Sequence, residues 1–301
     1  MRILSLLFVC IPLIWGCQNQ DPEIANIESL EKEIEQSPTP ENSQALLEAY
    51  EAYVANHPEA GKQNAEFLYK AAALQAKRNR FSSAIEKIHQ VLSAYYDAPI
   101  AGDASLLLAT IYDEKLNNKL GAQAVYQSYA AAFPKHPRNK VVKDSILADA
   151  PPLDEVLDSL KMKLYDEENN RYDYQMANDF IEVCQIQAYL LPEEKRVPEY
   201  LHEAGRIAGY IRSYEKALEL YEWVYQKYPE HEKAASSLFM MAFTYDDRVN
   251  DDEKARALYQ EFLEKYPDSN FAESAAFLLQ NLGKSDEEII ESFSKEKKDV
   301  Q

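Results

Sequence analysis

Between Pro198 and Pro267, apolar residues recur at offsets that define a pair of short antiparallel helices. Leu201, Ala204, Gly205 and Ala208 stand at i, i+3, i+4 and i+7, which is one face of a helix. Ala217, Leu220, Tyr221 and Val224 mark one face of a second, and Ile211-Arg212-Ser213-Tyr214 between them is only long enough for a turn. Small residues at Ala204, Gly205 and Ala217 let the two helices approach closely, and Pro229 cannot continue the second. One such hairpin leaves an apolar face uncovered, so the pattern demands neighbours of the same kind.

The neighbours are present. Ala109, Tyr112, Asp113, Ala122, Tyr126, Phe133 and Pro134 recur 133 residues later as Ala242, Tyr245, Asp246, Ala255, Tyr259, Tyr266 and Pro267. Upstream, Leu68, Ala71, Ala72 and Gln75 precede Ala84, Ile88 and Tyr96, and Leu68 is as far from Ala84 as Leu201 is from Ala217. A degenerate first pair lies before these. Its first helix opens at Asp21-Pro22 and carries Ile24, Ile27, Leu30 and Ile34; its second runs from Asn42 to Asn56 with Leu46, Leu47, Tyr50, Tyr53 and Val54 inward. After Pro151-Pro152, a helix through Leu164 and a partner with Phe180, Ile181, Cys184 and Ala188 flank a polar break at Glu167–Asn170. This central pair departs from the repeat spacing and reads as a spacer or a hinge between halves. Phe271–Leu282 is a capping helix, and Ser285 with Glu288 forms a capping box for a last short helix through Phe293.

The succession resembles the tetratricopeptide repeat (TPR) family, whose signature is a large residue, small pairs, an aromatic and a closing proline. Leu201 stands where that family usually has Trp, and Ala208 where it has Tyr. The resemblance implies an all-α fold, a right-handed TPR-like superhelix of about five antiparallel helix hairpins with a less regular central pair. The expected segments are a leader at 1–16, N-terminal repeats at 17–150, the central pair at 151–197, C-terminal repeats with a capping helix at 198–284, and a short helix and tail at 285–301.

Composition agrees. A chain that is 46% apolar with only 7 Gly and 14 Pro in 301 residues is neither disordered nor all-β. Its formal charge of −19 repels nucleic acid and anionic headgroups, so no nucleic-acid partner is expected and no basic patch serves as a membrane anchor.

Met1–Gly16 reads as a secretory leader: Arg2 is followed by an apolar run too short to span a bilayer. Leu13-Ile14-Trp15-Gly16-Cys17 resembles a bacterial lipoprotein signal, which implies that Cys17 becomes the acylated N-terminus, carrying three acyl chains. The alternative is an ordinary leader with an incidental cysteine; the polar run Gln18-Asn19-Gln20-Asp21 weighs against it. Two acyl chains already anchor a protein stably. With Cys10 lost and Cys17 acylated, only Cys184 remains, so no intramolecular disulfide forms; Cys184 sits on an apolar stripe and reads as a small core residue.

Catalytic and metal signatures fail on inspection, and no cofactor is implied. His202-Glu203 lacks the second His of a zinc-protease motif, because position 206 is Arg. Asp246–Asp252 lacks the glycine and glutamate of a calcium loop, and Asp251 or Asp252 reads as a helix N-cap. Phosphate loops, Gly-x-Ser-x-Gly and Cys-x-x-Cys are absent.

What remains is a binding surface. First helices of successive repeats line the concave side of such arrays. Helical phase places Tyr69, Ala73 and Lys77, then Leu106, Thr110 and Asp113, on that side in the first half. In the second half it places His202, Arg206 and Tyr210, then Phe239, Phe243 and Asp246. Phe239 and Phe243 are either packed against the capping helix or form an aromatic shelf for a partner peptide. The Lys, Asn and Arg set with which some repeats grip chaperone carboxylates is absent.

Anchor and repeats together resemble envelope lipoproteins such as BamD and the YbgF/CpoB proteins of the Tol-Pal system. Nearest in pattern are the TPR lipoproteins of Bacteroidetes-type bacteria, which share the run Leu282-Gly283-Lys284-Ser285-x2-Glu288-Ile289-Ile290. The resemblance implies a non-catalytic scaffold, lipid-anchored to the outer membrane and facing the periplasm, that docks envelope proteins or peptides on its concave face. A glycan-capturing lipoprotein beside an outer-membrane importer is the alternative; its sugar platforms usually want more Trp than Trp15 and Trp223 supply.

Overall fold

The computed structural model describes residues 21–167, 171–285 and 287–288. The leader, Cys17 and the helix expected through Phe293 lie outside the described residues. Helices follow one another as antiparallel pairs: α1 (Pro22–Gln36) with α2 (Pro40–Asn56), α3 (Gly61–Lys77) with α4 (Phe81–Ala94), and α5 (Ala101–Thr110) with α6 (Lys119–Ala132). A short α7 (Asn139–Val141) runs into a π-helical turn at Val142–Ile146. Then come α8 (Leu153–Lys163) with α9 (Tyr174–Leu190), α10 (Val197–Tyr210) with α11 (Tyr214–Lys227), α12 (Lys233–Thr244) with α13 (Asp252–Lys265), and the capping helix α14 (Ala272–Asn281). The fold is the expected helical repeat array.

Local chemistry sets the helix starts. Asp21 caps α1 by accepting from the Glu23 amide, and Asp251 caps α13 by accepting from the Lys254 amide. Thr39 caps α2 with Pro40 in its first turn, so α2 begins two residues before Asn42.

The 133-residue translation extends to the backbone. Asn79 and Arg212 are both left-handed, as are Asn117 and Asn250. The Arg80 amide donates to Gln75 O, and the Ser213 amide to Ala208 O; the Asn118 amide donates to Tyr112 O, and the Asp251 amide to Tyr245 O. Asn tolerates the left-handed region; Arg212 sits there at a cost of about 1 kcal/mol.

Two features differ from the sequence expectation. Leu164 does not extend α8. It caps the helix, and a small antiparallel hairpin follows, Tyr165–Asp166 (β1) against Arg171–Tyr172 (β2). A β-ladder therefore stands beside the expected break, its Tyr165 and Tyr172 rings 5.1 Å apart.

The second difference concerns α9. Nine of its 17 residues are buried, from Ala177 to Leu190, on more than one face. A helix apolar on several sides belongs to a core. Toward the first half, Tyr189 stacks on His89 at 3.9 Å, and the Tyr96 hydroxyl donates to Leu190 O at 2.6 Å. Toward the second, Tyr189 packs on Trp223 at 4.6 Å, and the Tyr228 hydroxyl donates to Pro192 O at 3.0 Å. One buried cluster runs from Ala65 in α3 to Met241 in α12 without interruption at Pro151-Pro152.

Candidate functional site

The first helices of the second half, α8, α10, α12 and α14, share a groove. Its centre is a cleft of about 750 Å³ that includes Lys161, His202, Glu203, Arg206 and Met240. Met240 also borders two neighbouring hollows. One, of about 530 Å³ between α12 and α14, is apolar, with Phe239, Phe243, Phe277 and Leu278. The other, of about 140 Å³, holds Arg206, Tyr210, Tyr221, Phe243 and Arg248. His202, Arg206, Tyr210, Phe239 and Phe243 therefore converge, because α10 and α12 lie side by side with these residues one or two turns apart.

Glu203 organises the centre. Lys161 of α8 pairs with its Oε1 at 3.0 Å, and Arg206 with its Oε2 at 2.7 Å. Burial works to raise the Glu203 pKa, but the Lys161 hydrogen bond and the Arg206 charge outweigh it and hold the carboxyl below its usual range. Two cations thus share one anion, in a chain whose overall charge is −19. Arg206 also donates to the Tyr210 hydroxyl at 2.9 Å, and Tyr210 stacks on Tyr172 of the hairpin at 5.0 Å and 9°.

His202 lies at the α10–α12 contact, its Nδ1 2.9 Å from Ser237 Oγ. Burial, and then the charges of Lys233 and Arg206, push its pKa down to about 4. The unfolded chain therefore binds this proton near pH 6.5 and the folded chain only near 4. Stability falls as pH drops through that window. His202→Asn is expected to flatten the pH dependence of urea midpoints between pH 6.5 and 4.5 by about 1 kcal/mol per pH unit. An unaltered slope would show that His202 is protonated in the fold.

Several expected positions are placed differently. Phe239 is not a shelf: it is 8% exposed, stacked on Phe271 at 4.9 Å and edge-on to Phe262 at 5.7 Å. Its surroundings close because the chain returns at Phe271 to start α14; Phe243, half-buried, remains on the groove wall. Leu106 is also covered, packed with Tyr129, Ala130 and Val142, because α7 and its π-turn fold back over the α5–α6 pair. Asp246 turns toward α13 and accepts from the Tyr259 hydroxyl at 3.1 Å. Tyr69 is half-buried, Lys77 is exposed, and Asp113 pairs with Lys119; none of the three lines the groove.

Sequence reasoning missed Lys161, Glu203 and Met240. Met240 falls between the two phenylalanines on α12, a signal that was available. Lys161 comes from the irregular central pair, where repeat spacing gives no register. Cys184 is fully buried, and burial pushes its thiol well above the usual range. Among the described residues, no helix is long and apolar enough to cross a membrane, and no three His, Cys, Asp or Glu side chains converge to hold a metal ion.

No curated protein matches the chain. Residues 103–136 and 236–269 match the tetratricopeptide repeat family. These segments begin 133 residues apart and are the α5–α6 and α12–α13 pairs, so the array carries tetratricopeptide repeats, the architecture of protein-interaction scaffolds.

Proposed function

We propose that this protein is a non-catalytic, membrane-anchored protein-interaction scaffold of the bacterial cell envelope, and that it holds its partner in the groove of α8, α10, α12 and α14. The observation that carries the reading is the groove's composition. An apolar hollow with Phe243 and Phe277 adjoins a centre where Lys161 and Arg206 flank Glu203. An apolar anchor site with a charged rim is what a protein or peptide surface fits.

The address rests on sequence alone: the leader, Cys17 and the polar run after it support an acyl anchor in the outer membrane, facing the periplasm. Barrel-assembly or Tol-Pal-type machinery is the class of partner that the resemblance suggests. Glycan capture is disfavoured, because Trp223 is half-buried against Tyr189 and is not an open platform.

Cross-linking in intact cells tests both parts. The native chain is expected to enrich envelope proteins. Arg206→Glu with Tyr210→Ala, both at exposed positions, is expected to cut that enrichment about tenfold. Equal capture by the variant would refute the groove. Cys17→Ala should leave the protein soluble or uncleaved, and unchanged acyl labelling would refute the anchor.

A further inference from the structure

Phe277 occupies in α14 the place that Phe239 occupies in α12. Each lies ten residues after a closing proline, Pro267 and Pro229. Phe239 is covered by the unit that follows it and is 8% exposed; Phe277 is 40% exposed. With Leu278, it walls the apolar hollow between α12 and α14. The repeat design therefore calls for one more element after α14.

The chain turns toward that wall. Gly283 is left-handed at φ +79°, and the Lys284 amide donates to Asn281 O, which ends α14 in a reversal. A reciprocal capping box follows: the Ser285 amide donates to Glu288 Oε2 at 2.8 Å, and the Glu288 amide to Ser285 Oγ at 3.3 Å. This is the signature of a helix start. Beyond it stand Ile289, Ile290 and Phe293, which share one helical face, while Asp286, Glu287 and Glu291 fall elsewhere.

A short link between helices makes them antiparallel neighbours. At equal rise per residue, a helix returning from Ser285 puts Ile290 level with Phe277 and Phe293 level with Ser274, and both of those α14 residues line the hollow. Lys295, Lys297 and Lys298 would then follow past the first turn of α14, where Glu273 stands on the rim.

We propose that residues 286–301 of this chain dock in the hollow between α12 and α14, with Ile290 and Phe293 as anchors. The segment covers the end of the array, and a partner using that hollow must displace it. Docking in cis does not depend on the partner reading, and its test uses the purified chain alone.

Three full-array proteins are compared: the native chain, the chain ending at Lys284, and Ile290→Asp with Phe293→Asp. Both altered chains are expected to exchange the α14 amides about tenfold faster than the native one. The double variant leaves every described residue intact, so it reads the contact even where truncation impairs folding. A fluorescein-labelled peptide of residues 285–301 is expected to bind the shortened chain, to bind the native chain far more weakly, and to lose binding on Met240→Lys.

Unchanged α14 exchange would overturn the proposal, as would absence of peptide binding up to about 1 mM, the effective concentration of a short tether. Peptide binding that survives Met240→Lys would also overturn it, since the segment would then sit elsewhere. A native dimer that the double variant dissociates would assign the hollow to a second copy instead.

Discussion

Cys184→Asp is expected to unfold both halves of the array together. Cys184 is fully buried in α9, and α9 is packed by α4 and Tyr96 on one side and by α11 and Tyr228 on the other. A carboxyl group there must either bury a charge or take up a proton without a water to bond, at a cost of about 4 kcal/mol or more. That is a large fraction of the stability of a typical domain. The urea midpoint should fall by the same amount whether followed by far-ultraviolet circular dichroism, which sees all helices, or by the fluorescence of Trp223 in the second half. Cys184→Ala is expected to cost about 1 kcal/mol by comparison. Loss of only part of the helical signal would show instead that the central pair is a hinge between separable halves.

Gly205→Val and Gly209→Ala, four residues apart on α10, are expected to act in opposite directions. A Cβ at position 205 would lie 2.6 Å from the Tyr221 ring, and that ring is 1% exposed, so it cannot swing aside. The helices would have to separate, which costs about 3 kcal/mol and lowers the melting temperature by about 10 °C. A Cβ at position 209 meets nothing within 4 Å. There the change only removes backbone freedom from the unfolded chain, and the protein should gain about 0.5 to 1 kcal/mol. Equal thermal midpoints for Gly205→Val and the native chain would mean that α10 and α11 are not in close contact at this point.

The small residue at position 205 was legible because close helix approach leaves a trace in composition: Ala72 and Gly205 fall at the same place in two hairpins. The groove was legible by half. Helical phase identifies which side of α10 and α12 faces away from their own partners, and so it reached His202, Arg206, Tyr210 and Phe243. It could not tell that Phe271 would return to cover Phe239, or that α7 would close over Leu106.

Sequence by itself determined the helices, their stops and their pairing, and the translation that relates Asn79 to Arg212 and Asn117 to Asn250. These follow from contacts within a few residues: apolar spacing at i, i+3 and i+4, side-chain caps, and prolines that cannot continue a helix. Only the tertiary structure decided that α9 is a shared core helix and that Lys161 and Arg206 meet at Glu203. Those arrangements join residues up to 94 positions apart, as Tyr96 joins Leu190. A helical period specifies the direction in which a side chain points; it carries no information about which distant helix lies across from it.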